Sequence, residues 1–279
     1  MTEPHAASRF FPKLVALDID GTLLRPVAET GFSTDEVTPA VRAAIHRAVD
    51  AGAHVVLASG RAPLSMTWVL ETLDLPRDGS KAFTVASNGA VTFSFPPMEV
   101  LSEVTFDARE AVRTVLEHVP EAAVAVEEHG VGYRVNRHFP DGELDGEMIL
   151  TPVEDLVAKE VSRVIIRDPD STSEDFVSLA ERLGLQGTNY FIGWTAWLDL
   201  APEGVSKASG LAEVADRLGV NRVDVLAIGD GRSDIEMLEW AGRCVAMGQA
   251  PEEVKAVADA VAPSVDEDGA AVELSRWFP

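Results

Sequence analysis

Apolar and polar positions alternate along the first part of the chain in a repeating order. Lys13 to Asp18 (KLVALD) is a short apolar run that ends in carboxylates, the pattern of a buried strand. Arg25 to Pro39 is polar, contains Gly31 and several acids, and reads as a loop or flap. Thr38 then supplies an N-cap, Pro39 a first helical residue and Gly52 a terminator for the helix TPAVRAAIHRAVDAG. Ala53 to Ser59 (AHVVLAS) predicts a second strand. Gly60, Arg61 and Pro63 lead into a helix through about Leu73, and Ala82 to Ala86 predicts a third strand. Strand, helix, strand, helix, strand is the order of a parallel sheet with crossover helices.

The end of the chain resumes this order. Val205 to Leu218 reads as a helix, Val223 to Ile228 (VDVLAI) as a strand and Asp234 to Ala241 as a helix. A short strand at Cys244 to Met247 follows, then helices at Pro251 to Ala258 and Gly269 to Trp277. The middle differs. Strand-like runs at Val100–Phe106, Ala122–Glu127, Val131–Val135, Ser162–Arg167 and Asn189–Gly193 mix with helical patterns at Asp107–His118 and Thr172–Leu183. Between them Asn136 to Asp155 is rich in Gly, Pro and acids, and Pro96-Pro97 marks a turn near the entry. The expectation is one α/β domain in two pieces, residues 1–92 and 197–279, with an α+β module inserted at 93–196.

Composition narrows the class. The 279 residues are 46% hydrophobic and 25% charged, ordinary for a globular chain. No apolar run approaches the roughly 18–20 residues of a membrane span. The single cysteine, Cys244, excludes a disulfide framework and reads as a buried strand residue. The opening MTEPHAASRFF lacks an apolar signal-type core, so a cytoplasmic location is expected. Twenty-three Lys and Arg against 46 Asp and Glu give a net charge of −23, a field that repels nucleic acid and anionic membranes. A small anionic substrate remains compatible with a locally positive pocket.

Four clusters carry candidate chemistry. In Asp18-Ile19-Asp20-Gly21-Thr22, residues two apart share a strand face, so Asp18 and Asp20 project together from the carboxyl end, where open α/β sheets bind ligands. Carboxylates so close raise each other's pKa unless a cation intervenes, and a hard cation such as Mg²⁺ suits oxygen donors. Ala58-Ser59-Gly60-Arg61 ends a strand in a hydroxyl and glycine just before a helix, a cradle for phosphate, with Arg61 able to meet an anion or brace the loop. Lys207, one of five lysines, opens a helix, where its charge opposes the dipole unless an anion is near. In Gly229-Asp230-Gly231-Arg232-Ser233-Asp234 a strand again runs into acids. Asp230 is placed to complete a cation site, and Asp234 to cap the helix or hold the loop and Lys207.

Taken in order, DIDGTLL, the Ser59 hydroxyl, Lys207 and the Asp230 acids resemble the haloacid dehalogenase-like phosphatases. The long insert between the second and third clusters is similar to the branch with a C2-type cap, and Ala86-Ser87-Asn88-Gly89-Ala90 to its Cof-type sugar phosphatases. The resemblance implies a Rossmann-like parallel-sheet core and a phosphatase of small phosphomonoesters, sugar phosphates foremost. It implies Asp18 as nucleophile and Asp20 as acid and base. Mg²⁺ would be held by Asp18, the Asp20 backbone carbonyl and Asp230, and the phosphoryl oxygens by Ser59, Gly60 and Lys207. Arg61, Ser233 and Asp234 would support them. Ser59 stands where threonine is as usual, and Ser233 where this branch usually has asparagine.

Residues 93–196 hold 20 acids and 8 Lys or Arg, which disfavours a polyphosphate substrate. Arg134, Arg137, His138 and Trp194 are the candidate cap contacts; Arg134 alternates with Tyr133 and Val135, a pattern that equally suits an arginine facing solvent. The open alternatives are a narrow phosphatase of a phospho-acid such as mannosyl-3-phosphoglycerate or phosphoglycolate, a phosphomutase, and a non-catalytic phospho-acceptor module. Oligomeric state is not encoded in any of these features.

Overall fold

The computed structural model describes residues 10–26, 36–77, 79–168, 171–172, 188–192 (backbone only) and 197–279. Among the described residues fourteen strands fall into two sheets. In the first, eight strands run in the order β14-β13-β12-β1-β2-β3-β4-β5. These are β1 (Leu14–Leu17), β2 (His54–Ala58), β3 (Ala82–Ala86), β4 (Val91–Phe95), β5 (Glu99–Glu103), β12 (Val225–Gly229), β13 (Arg243–Ala246) and β14 (Ala260–Val261). From β14 to β3 every pairing is parallel, and β4 and β5 extend the sheet antiparallel.

Side-chain alternation along β1 explains the layers. Val15 and Leu17 join a buried cluster with α1 (Pro39–Asp50), α2 (Pro63–Thr72) and the C-terminal helix Gly269–Trp277. Leu14 and Ala16 face the opposite cluster, built with the helices Lys207–Leu218, Ile235–Trp240 and Glu252–Val257. A strand covered on both faces has no polar side to show, which is why KLVAL reads as a continuous apolar run. Thr38 caps α1 by accepting from the Val41 amide at 3.2 Å, and Ser206 with Ser209 forms a capping box ahead of Lys207.

The second sheet has the order β10-β11-β9-β6-β7-β8. Its strands are β6 (Ala123–Glu128), β7 (Gly132–Val135), β8 (Glu147–Leu150), β9 (Val164–Arg167), β10 (Thr188–Ile192) and β11 (Trp197–Pro202). One face, with Val124, Val126, Val164, Ile166, Leu198 and Leu200, packs under the helices Arg109–His118 and Val153–Leu156. The other carries Ala123, Ala125, Tyr133, Val135 and Ile165 and clusters with Ala62, a residue of the first unit.

The expected boundaries at 92/93 and 196/197 do not coincide with the sheets. The cut at 93 passes through β4, and β4 with β5 completes the first sheet, so the chain crosses over after Glu103. Trp197–Pro202, expected in the core, lies in the second sheet between β9 and β10. The polar stretch Asn136–Asp155 is also not wholly irregular, since it holds β8 and the start of a short helix. The helix expected at Thr172–Leu183, the tip of the Arg25–Pro39 flap and Trp194 lie outside the described residues. Among the described residues no helix is long and apolar enough to cross a membrane.

Candidate active site

Parallel pairing brings the candidate residues to one edge. Leu17 is level with Leu57 on β2 and Ile228 on β12, so Asp18, Ser59 and Asp230 emerge side by side from three adjacent strand ends. The Asp18 amide donates to the Ile228 carbonyl at 3.0 Å and the Ser59 amide to Val85 at 2.9 Å, which fixes both residues to the sheet. Gly21 then turns the chain at φ +85°, and a Cβ there would stand 2.0 Å from Asp230 Oδ2. Gln249 ties the same two residues, its Nε2 donating to Gly21 O at 2.6 Å and Asp230 Oδ2 at 3.1 Å. Gly21→Ala is therefore expected to destabilise the fold by about 1–2 kcal/mol from left-handed backbone alone, before any displacement of Asp230. A thermal melt superimposable on that of the parent would contradict it.

Lys207 is buried at the centre. Its Nζ donates to Asp18 Oδ1 and to Asp234 Oδ1, each at 2.6 Å. Burial alone would lower the lysine pKa, but the two carboxylates outweigh it and hold the ammonium charged well above its ordinary range. The other oxygen of Asp234 accepts from the amides of Asp230 at 3.0 Å and Gly231 at 2.9 Å. Of the two readings, Asp234 holds the loop and Lys207, and its side chain makes no cap hydrogen bond to the helix Ile235–Trp240.

Asp18, Asp230 and Asp234 each offer an oxygen within 4.8 Å of the others. Burial, followed by the charge of Asp234, pushes Asp18 well above the usual carboxylate range and Asp230 up to about 7. Two buried acids whose charged forms are disfavoured fit a hard divalent cation, which would stabilise both as carboxylates. With Asp234 fully engaged, Asp18 and Asp230 are the side chains left to hold one.

The Asp20 carboxylate stands apart from that cluster. Arg61 grips it through Nε at 2.9 Å and Nη2 at 2.7 Å, and this pairing outweighs burial to raise the arginine pKa. Of the two roles open to Arg61, it meets an anion, and that anion is the Asp20 carboxylate. Ser59 is 1% exposed, and its Oγ accepts from the Arg61 amide at 3.2 Å, so the hydroxyl is fixed at the start of the loop containing Gly60. Ser233 is half-buried and makes no hydrogen bond with a described residue.

Ser87 and Asn88 lie in the run Ala86–Ala90 but are assigned no role at the site by the motifs, and Gln249 lies outside every motif. Asn88 has φ 53° just beyond β3; its amide donates to the Ser59 carbonyl at 3.0 Å, and its side chain abuts Gly60. Its Nδ2 reaches Asp199 of the second sheet at 3.4 Å, and Ser87 donates to Glu127 at 2.7 Å. Glu127 pairs with Tyr133 in register, so the face bearing both is turned to the core. Arg134 lies on the opposite face, bound to Glu128 and the Asp155 carbonyl, while Arg137 and His138 are exposed and Arg137 pairs with Glu121. Of the described candidates for cap contacts, Arg134 therefore faces away from the core, and Arg137 and His138 are exposed beyond the end of β7.

Comparison with known proteins identifies the family. Residues 15–274 match the family described as haloacid dehalogenase-like hydrolase. The chain is 28% identical to the 5-amino-6-(5-phospho-D-ribitylamino)uracil phosphatase YcsE of Bacillus subtilis, covering 95% of each. It is also 28% identical to the phosphatase YwpJ of Bacillus subtilis, over 93% of this chain and 97% of that one. Among solved structures, BT1666 of Bacteroides thetaiotaomicron, a phosphatase of the haloalkanoate superfamily, aligns with a TM-score of 0.75 at 28% identity over 99% of both chains. The subclass IIB sugar phosphatase BT4131 shares the fold at a TM-score of 0.76 and 24% identity, over 95% of this chain and 98% of that one. With a match running from β1 into the last helix and the acids, lysine and hydroxyl gathered at one sheet edge, the chain belongs to the haloacid dehalogenase-like hydrolases.

Proposed function

We propose that this phosphatase hydrolyses small phosphomonoesters, sugar phosphates foremost, in a Mg²⁺-dependent reaction through an aspartyl-phosphate on Asp18. The observation that carries the reading is Lys207 bridging buried Asp18 and Asp234 at the strand ends, with Asp20 two residues after Asp18. An Asp18 oxygen attacks phosphorus, the ester P–O bond breaks, and Asp20 gives its proton to the leaving alkoxide. Asp20, now a carboxylate, takes a proton from water. That water attacks the aspartyl-phosphate, releases phosphate and restores Asp18. Arg61 holds Asp20 in place through two hydrogen bonds. Ser59, the Gly60 amide and Lys207 bind the phosphoryl oxygens. Bound by Asp18, the Asp20 carbonyl and Asp230, Mg²⁺ would supply the charge neutralisation that lets a carboxylate meet a phosphate.

The substrate is a phosphorylated metabolite of the cytoplasm, where the buried free Cys244 stays reduced. The test is phosphate release from a panel of phosphorylated sugars and organic acids, with Mg²⁺ and with excess chelator. Metal-dependent release led by sugar phosphates is the expected result. Undiminished release in chelator, or an isomerised phosphate ester as the only product, would overturn it.

A further inference from the structure

The face of the second sheet that closes on the core carries polar groups that the chemistry at Asp18 does not use. Register sets this face. Glu127 lies opposite Tyr133, and Ala125 is level with Ile165, which is level with Asp199. Glu127 reaches Ser87 and Asp199 reaches Asn88, so everything sharing their side looks toward the core.

Tyr133 is 4% exposed, and its hydroxyl makes no hydrogen bond with a described residue. Its surroundings are polar, with the charges of Arg163, Glu127, Asp199 and Asp145 all acting on it. Arg163 is equally buried and spends only part of its guanidinium. Nε and Nη2 donate to Asp199 at 2.8 to 3.0 Å, whereas Nη1 has no described partner. Neither the Tyr133 hydroxyl nor Arg163 Nη1 is among the fully buried unpaired polar atoms, so both are donors without a described partner that a ligand on this face can reach. This face adjoins the reaction centre. Ala62, next to the Arg61 that grips Asp20, sits in one apolar cluster with Tyr133, and Asn88 links Asp199 to Gly60.

We infer that the Tyr133 hydroxyl and Arg163 Nη1 bind the leaving group of the phosphomonoester, and that they select a hydroxyl-rich, uncharged alcohol over an anionic one. The selection follows from the charges present. Asp199 already balances Arg163, and the carboxylate of Asp145 adds negative charge nearby. Glu127 is engaged by Ser87 and by His129, which also meets Glu103 and is charged at neutral pH, its pKa raised to about 9 by the Glu127 hydrogen bond against the opposing effect of burial. No cation is left over for a carboxylate or second phosphate among these described residues. Hydroxyls, by contrast, take a hydrogen bond from Arg163 and exchange one with Tyr133. A site built to bond a hydroxyl discriminates strongly against ligands that lack it.

The inference rests on the phosphatase reading, and the experiment separates the two. The parent and Tyr133→Phe are assayed with glucose 6-phosphate, phosphoglycolate and p-nitrophenyl phosphate, whose leaving group has no aliphatic hydroxyl. Tyr133→Phe keeps the ring and is expected to lower kcat/KM for glucose 6-phosphate about 5- to 10-fold. It should leave p-nitrophenyl phosphate within about twofold, because nothing there meets the lost hydroxyl. Arg163→Lys, which keeps a cation on Asp199, should show the same selective loss. A loss shared equally by glucose 6-phosphate and p-nitrophenyl phosphate would overturn the contact, and a parent faster on phosphoglycolate than on glucose 6-phosphate would overturn the charge selection. A parent that releases phosphate from none of the three would instead overturn the phosphatase reading itself.

Discussion

Asp20→Asn is expected to cut phosphate release by about 10³-fold, within the range for loss of a positioned acid and base. The amide cannot give a proton to the leaving alkoxide or take one from water. It still offers an oxygen to Arg61, whose fork now holds both carboxylate oxygens, so the loop geometry survives. The ion pair is partly exposed, with 42% of the Asp20 side chain accessible, so its loss should change stability by no more than about 1 kcal/mol. Chemistry and folding therefore separate in this variant: turnover collapses while the thermal melt barely moves. A protein that merely accepts or binds phosphate would be nearly indifferent to the change. Turnover within tenfold of the parent would remove Asp20 from the mechanism.

How far the sequence discloses such a site depends on what each pattern measures. Strands buried on both faces and ending in acids are legible, because the apolar run stops where the sheet meets solvent. Leu14–Leu17 before Asp18 and Val225–Gly229 before Asp230 are of this kind. The helix Gly269–Trp277 is legible at both ends. Alternation within a strand is legible too, but its direction is not. Tyr133 and Arg134 face opposite ways in any reading, and only the sheet's contacts with Ser87 and Asn88 decide which looks inward. The same limit hides which sheet a strand joins, so the expected boundaries cut through Val91–Phe95 and set Glu99–Glu103 and Trp197–Pro202 with the other sheet. Glu147–Leu150 is an edge strand with three of its four residues exposed, and without a buried face it leaves no periodic trace. Asn88 lies in a recognisable run, but its contacts with Ser59 and Asp199 do not follow from it, and Gln249 acts through long-range hydrogen bonds for which a sequence carries no local signal.

The largest effect on stability is expected at Lys207. Lys207→Met keeps the length and apolar stem but removes the charge between Asp18 and Asp234, whose side chains are 5% and 1% exposed. Removing one member of a buried ion pair leaves uncompensated charge and costs about 3–5 kcal/mol, a large share of the roughly 5–15 kcal/mol that a domain has in total. For a chain of this size the melting temperature should fall by about 6–20 °C. The penalty should also depend on pH, and its sign follows from Asp18. Burial and then the charge of Asp234 hold Asp18 above its unfolded value even with Lys207 present, and losing the lysine raises it further. A carboxyl whose folded pKa is raised binds its proton more tightly when folded than when unfolded. Its protonation then favours the fold at low pH, and that support disappears as pH climbs through the folded value. The variant should thus fall further below the parent at pH 8 than at pH 5.5. Melts at the two pH values, metal-free, measure this directly. A constant deficit would mean that Asp18 does not take up the proton, and no deficit at pH 8 would mean that the buried triad is not held together by Lys207.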